Sequence, residues 1–144
     1  MNTATFLNSV DSSPATPRVW IVEDEAKWQE AFQLLAGMAF NTPVVFQVAD
    51  SVEATQPWLL LNAKQSEPHW PDVLLMDWQL AHGGDGLRLV EAWIQKGLPA
   101  DRVIIVSGST DVPPHPFRAV NKSQAGRLLI PTILEMLTSH PTCV

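Results

Sequence analysis

The chain has 144 residues, 46% of them apolar and 17% charged, with a net charge of −6. That is one domain's length with enough apolar content for a core, and it excludes a disordered polymer. The nine basic residues are scattered, which argues against a nucleic-acid surface, since phosphate binding needs clustered Lys and Arg. Apolar runs of four to six residues are far too short to span a bilayer, which needs roughly 18. The N-terminus lacks a basic-then-apolar signal pattern, and Cys143, the only cysteine, permits no internal disulfide and no Cys-rich zinc site. These features predict a soluble, cytoplasmic protein.

Residues 1–17, rich in Ser, Thr, Asn and Pro, read as a flexible tail, 18–138 as the folded domain and 139–144 as a second tail. The run Val19-Trp20-Ile21-Val22 predicts a buried strand ending in Glu23-Asp24-Glu25. From Glu25 to Met38, helical spacing puts Trp28, Ala31, Phe32, Leu34, Leu35 and Met38 on an apolar face. Val44 to Ala49 reads as a second strand, and Pro57 starts or kinks a helix through Trp58-Leu59-Leu60-Leu61. A loop from Gln65 to Pro71 leads into a third strand, Val73-Leu74-Leu75-Met76, closed by Asp77. His82-Gly83-Gly84-Asp85-Gly86 predicts a turn opening a third helix near Leu87 to Lys96, which Gly97 and Pro99 end. Val103-Ile104-Ile105-Val106 ends in Ser107, and the short run Phe117 to Val120 ends in Asn121-Lys122. The last helix spans about Gln124 to Leu137 with Leu128, Leu129, Ile133, Leu134 and Leu137 inward, and Pro131 kinks it or delays its start.

Short apolar strands alternating with helices mean a parallel sheet covered on both faces. Sites in such sheets lie at the strands' carboxyl ends, where residues distant in sequence converge. Asp24, Asp77, Ser107 and Lys122 all occupy such positions. Clustered carboxylates repel one another and call for a cation between them. Mg²⁺ suits an all-oxygen set that lacks His and Cys. A carboxylate can also act as a nucleophile toward phosphorus, with Lys122 and Ser107 supplying charge and donors to the phosphoryl oxygens. The histidines His69, His82, His115 and His140 show no ligand spacing.

Acid pair, lone Asp, hydroxyl and Lys, in that order at strand ends, resemble the response-regulator receiver domain, the CheY-like family of two-component signalling. The resemblance covers roughly residues 18–138. It implies a flavodoxin-like, doubly wound, five-stranded parallel sheet of order 2-1-3-4-5. It further implies that Asp77 accepts a phosphoryl group from a sensor histidine kinase or a phosphotransfer protein, and that the domain catalyses its own phosphorylation and dephosphorylation with Ser107 and Lys122. It implies Mg²⁺ held by Asp24, Asp77 and the backbone carbonyl of Gln79, with Glu23 acting through water. Gly84-Asp85-Gly86-Leu87 resembles the family's Asp-Gly-Leu helix start, and Gln79 and Ser109 sit where members tune hydrolysis. No cofactor besides the metal, no direct nucleic-acid contact and no membrane partner are implied.

Departures from the family pattern are concentrated in one segment. Only fifteen positions separate Ser107 from Lys122, fewer than the family uses for its fourth helix. Between them, Pro113, Pro114 and Pro116 each remove a donor and clash with a preceding turn, so the fourth helix is predicted to be missing or reduced to a loop. Ala119 stands where the family has its aromatic switch, Phe117 lies two residues too early, and Ser123 replaces the proline after the lysine. The Pro-rich loop is a candidate for ordering on phosphorylation. Two other readings stay open: a phosphorylation-independent docking module, and an aspartate-nucleophile phosphatase, for which Asp77-Trp78-Gln79 lacks the second Asp.

Overall fold

The runs 19–22, 73–76 and 103–106 form strands because both of their faces have something to bury against. In the computed structural model, which describes residues 16–64, 69–80 and 84–139, five strands make one parallel sheet. They are β1 (Arg18–Val22), β2 (Val45–Ala49), β3 (Val73–Asp77), β4 (Val103–Ser107) and β5 (Arg118–Asn121). The order is β2-β1-β3-β4-β5, every pairing parallel, which is the expected 2-1-3-4-5. Four helices follow in turn: α1 (Ala26–Met38), α2 (Gln56–Ala63), α3 (Gly86–Gln95) and α4 (Ala125–Thr138). Most of both proposed tails, part of the loop before β3, and residues 81–83 of the turn before α3 lie outside the described residues, as do His82, His140 and Cys143.

Alternation along the strands sorts the core into two layers. Val19 and Ile21 of β1, Val73 and Leu75 of β3 and Ile104 and Val106 of β4 pack with Phe32 of α1 and Leu129 and Ile133 of α4. Trp20 and Val22, Leu74 and Met76, and Val103 and Ile105 face the other way, toward Val90 and Trp93 of α3. Trp20 anchors that layer, with ring centroids 5.0 Å from Trp58 and 5.8 Å from both Trp70 and Trp93. Aromatic contacts of this kind add about 0.5–1.5 kcal/mol each beyond their buried area.

Residues 108–117 form neither helix nor strand, as the prolines require. All five residues of β4 are nevertheless buried. Val112 and Phe117 pack onto the layer around Trp20 in the helix's stead. Phe117 is held by a 3.1 Å hydrogen bond from its backbone N–H to His115 Nδ1 and by a ring stack on His115 at 5.7 Å.

Two helix faces, those of α1 and α4, differ from their sequence patterns. Leu34 and Met38 are 67% and 63% exposed, because each lies two residues, about 200° of helix, past the buried Phe32 and Ala36. In α4 the buried line is Ala125, Leu129, Ile133 and Met136, which leaves Leu134 outside. In α3, Trp93 is buried beside Val90, while Leu87 and Ile94 flank it half-exposed. α3 starts on Asp85, whose carboxylate accepts from the N–H groups of Leu87 and Arg88 at 3.0 and 3.2 Å. It stops at Gly97, whose φ of +120° suits only glycine. No helix among the described residues is long and apolar enough to cross a membrane.

Pro131 sits inside α4 and does not delay its start at Ala125. The ring is exposed, so the helix bears the missing hydrogen bond at its solvent side. Pro131→Ala is expected to raise the unfolding free energy by about 1–3 kcal/mol, read from urea midpoints.

Candidate functional site

The carboxyl ends of β1, β3 and β4, together with the residue after β5, meet at one end of the sheet. Glu23 leaves β1 with its N–H on Ala49 O at 2.9 Å, while its own carbonyl accepts from Gln29 Nε2 at 2.7 Å. These bonds turn its side chain inward, where it is fully buried. Asp77 ends β3, and Trp78 stays on the sheet through a 3.0 Å bond from its N–H to Val106 O. Gln79 then turns back so that its N–H donates to Asp77 Oδ1 at 3.1 Å. A two-residue antiparallel ladder, Gln79–Leu80 against Gly84–Asp85, ties this segment to the start of α3.

A cleft of about 250 Å³ opens here, lined by Asp24, Glu25, Asp77, Gln79, Ser107, Gly108, Ser109 and Lys122. Five of the six residues singled out from the sequence therefore line one cleft. The sixth, Glu23, joins them through Lys122, whose Nζ lies 2.8 Å from Glu23 Oε1 and 3.4 Å from Asp77 Oδ2. The aligned hydrogen bond to Glu23 goes to Oε2 at 3.1 Å, and Glu25 N–H donates to the same oxygen at 3.1 Å. Oε1 is buried without a hydrogen-bond donor, its approach to Nζ being a contact of opposite charges rather than an aligned bond. Ser107 Oγ is engaged within its own loop, accepting from Ser109 N–H at 2.9 Å and donating to Ser109 O at 3.1 Å.

Carboxylate oxygens of Glu23, Asp24 and Asp77 can come within 4.8 Å of one another. Three such groups against one ammonium leave an excess of negative charge that a divalent cation fits. Burial pushes the Glu23 carboxyl up to about 7, against the pull of the Lys122 hydrogen bond, and the charge of Asp77 adds to the rise. Burial also raises Asp77 above its ordinary value, although Lys122 and the Gln79 N–H oppose it. Burial alone would lower Lys122, but the Glu23 hydrogen bond and the charges of Asp77 and Glu23 outweigh it and hold the ammonium above the usual lysine value.

Two residues outside the predicted set shape the site. Gly86, the first residue of α3, has no room for a side chain. A Cβ there would lie 2.9 Å from Met76 Cγ, 3.0 Å from the Asp77 carbonyl carbon and closer still to its oxygen. Its place in the Asp-Gly-Leu pattern was the available signal. Trp28 reads from sequence as a core residue of α1, yet its ring centre lies 5.7 Å from Lys122 Nζ. Helical periodicity contains no trace of that contact, because the lysine is 94 residues away.

No protein-family model and no curated protein matches the sequence. Solved structures do. The N-terminal domain of a response regulator/sensory box/GGDEF protein from Carboxydothermus hydrogenoformans superposes with a TM-score of 0.66 at 21% identity, covering 85% of this chain and 95% of that one. The PhyR response regulator REC domain of Erythrobacter litoralis gives 0.63 at 24% identity, over 85% and 91% of the two chains. A CheY-like receiver domain from Methylobacillus flagellatus gives 0.57 at 20%, over 87% and 98%. The fold is that of a response-regulator receiver domain. Five parallel strands stand in the expected order, and the expected loss of a helix between β4 and β5 is met by residues 108–117, which form neither helix nor strand.

Two outcomes follow. The folded state favours neutral Glu23, so this contribution to stability is complete below the ordinary value of 4.5 and is lost as pH rises through about 7. Metal-free protein should lose about 1–3 kcal/mol of unfolding free energy between pH 5 and 8, with Asp77 contributing in the same direction. Glu23→Gln should flatten most of that slope in urea titrations at the two pH values. Gly86→Ala should cost about 1–3 kcal/mol by forcing the Asp77 backbone aside, with the Gln79 amide resonance displaced in the variant.

Proposed function

We propose that the protein is a response-regulator receiver that accepts a phosphoryl group on Asp77 from a histidine kinase or a histidine phosphotransfer protein, in two-component signalling in the cytoplasm. The observation that carries this reading is the Lys122 ammonium set between Glu23 and Asp77, 3.4 Å from Asp77 Oδ2, at the mouth of an acidic cleft. A structural ion pair has no need of two further carboxylates and an open cleft beside it.

In the step proposed, an Asp77 carboxylate oxygen forms the new O–P bond as the donor's N–P bond breaks, and the donor imidazole leaves with the electron pair. Lys122 holds Asp77 from one side and carries positive charge toward the incoming phosphoryl oxygens, where preorganised charge is worth most. The Gln79 N–H fixes the other carboxylate oxygen. Ser107, now bonded within its loop, has a hydroxyl at the cleft wall that can be redirected to a phosphoryl oxygen. Hydrolysis reverses the gain, with water oxygen bonding to phosphorus as the Asp77 O–P bond breaks. Asp24, Asp77 and the Gln79 carbonyl would hold Mg²⁺, with Glu23 acting through water. When bound, the ion supplies neutralising charge to the carboxylates and the phosphoryl oxygens.

The reading is tested by incubating the protein with acetyl phosphate and Mg²⁺ and measuring intact mass. The expected result is a gain of one phosphoryl group that is absent in Asp77→Asn and in chelated samples, and reduced at least tenfold in rate in Lys122→Ala. Mg²⁺ binding without any mass gain would favour a docking module that keeps the fold and has lost the chemistry.

A further inference from the structure

Lys122 carries three ammonium protons, and two of them are directed to Glu23 Oε2 and Asp77 Oδ2 at 3.1 and 3.4 Å. The indole of Trp28 supplies a further contact, its centre 5.7 Å from Nζ, within the range over which a cation is drawn to a ring face. The lysine side chain is only 10% exposed, so this attraction operates where water screens it weakly. Trp28 is itself half-buried and stacked on Phe32 at 5.7 Å and 30°, which fixes the ring to the core of α1. Lys27 lies at the same distance from the ring but is exposed and hydrated, and competes poorly. No other ring among the described residues makes this contact with Lys122. Ala119, three positions before the lysine, is exposed and offers no ring, and Phe117 packs on the opposite layer with Val112.

We propose that Trp28 is a positioning residue for Lys122: its indole face, anchored by Phe32, steadies the ammonium over Glu23 and Asp77 and loses contact with it when the charge at Asp77 grows. A phosphoryl group on Asp77 adds negative charge in the open cleft that Asp77 and Lys122 both line. The ammonium is drawn toward those oxygens, and the ring is left without its cation. The environment of Trp28 thereby tracks the state of Asp77 from α1, on the sheet face opposite the proline-rich loop. This second half rests on the receiver reading, whereas the Trp28–Lys122 contact does not.

Fluorine NMR of protein labelled with 5-fluorotryptophan tests both halves, with the Trp28 signal assigned as the one missing from Trp28→Phe. In unphosphorylated protein, Lys122→Met should shift the Trp28 signal and leave those of Trp58, Trp70 and Trp93 in place, while Lys27→Met should shift it less. A Trp28 signal indifferent to Lys122→Met overturns the proposal whatever the protein's function. Addition of Mg²⁺ and beryllofluoride, a phosphoryl mimic, should move both Trp78, next to Asp77, and Trp28. Movement of Trp78 with Trp28 unchanged overturns the relay, whereas no movement of either rejects the receiver reading and leaves the Lys122→Met arm to decide the contact. In acetyl phosphate reactions, Trp28→Leu should slow phosphorylation at saturating donor about threefold to tenfold. Trp28→Phe, which keeps a ring face, should recover at least half of that loss. Equal rates in the two variants would make Trp28 a packing residue only and overturn the proposal.

Discussion

The site depends on one electrostatic constraint. Glu23 is fully buried and Asp77 nearly so, and neither can be held ionised there without compensation. Lys122 provides part of it from the residue after β5, short of what would keep Glu23 at its ordinary value, and the requirement explains the surrounding arrangement. The lysine must follow β5 so that it reaches across to β1 and β3. The turn after β1 must point Glu23 inward, and Gly86 must let α3 approach the Asp77 backbone closely. One ammonium does not balance three acids, so the cluster remains short of positive charge, and the same shortage makes the cleft receptive to a cation.

The parallel sheet is the means of meeting that constraint. Its strands run the same way, so their carboxyl ends gather residues from positions 23, 77, 107 and 122 without any of them being near in sequence. Because the helices cover both faces, the interiors of β1, β3 and β4 are wholly apolar, with their polar groups at the ends. The proline-rich segment shows how little of a helix this cover requires. Val112 and Phe117 pack on that layer and β4 stays buried, while Ala119 of β5 is left exposed.

Much of this is legible in the sequence, and the limits follow from physics. Runs such as Val103-Ile104-Ile105-Val106 announce buried parallel strands, and Asp77, Ser107 and Lys122 announce a site because strand ends must converge. The three prolines exclude a helix by steric rules that need no tertiary context. Leu34, Met38 and Leu134 lie off the pattern because hydrophobicity alone does not fix a helix's rotation; that is set by what it packs against, and the small Ala36 and Ala125 mark the true inner lines. The contact of Trp28 with the lysine has no signature in the sequence, because periodicity describes a residue's own helix and Lys122 lies in the turn after β5. Ser107's turn toward Ser109, and the way the Lys122 ammonium is shared between Glu23 and Asp77, are matters of a few tenths of an ångström that no one-dimensional pattern encodes.

β5 is the border of the sheet. β3 is bonded to a strand on each side, whereas β5 has β4 alone. Fluctuations that peel a strand away break fewer ladder bonds at a border than in the middle. The acids therefore ride on the most firmly held part of the molecule and their cation on a more loosely held one. When that border strand loosens, the buried carboxyls lose the ammonium that favoured their charged form and take up protons, Glu23 being already raised to about 7.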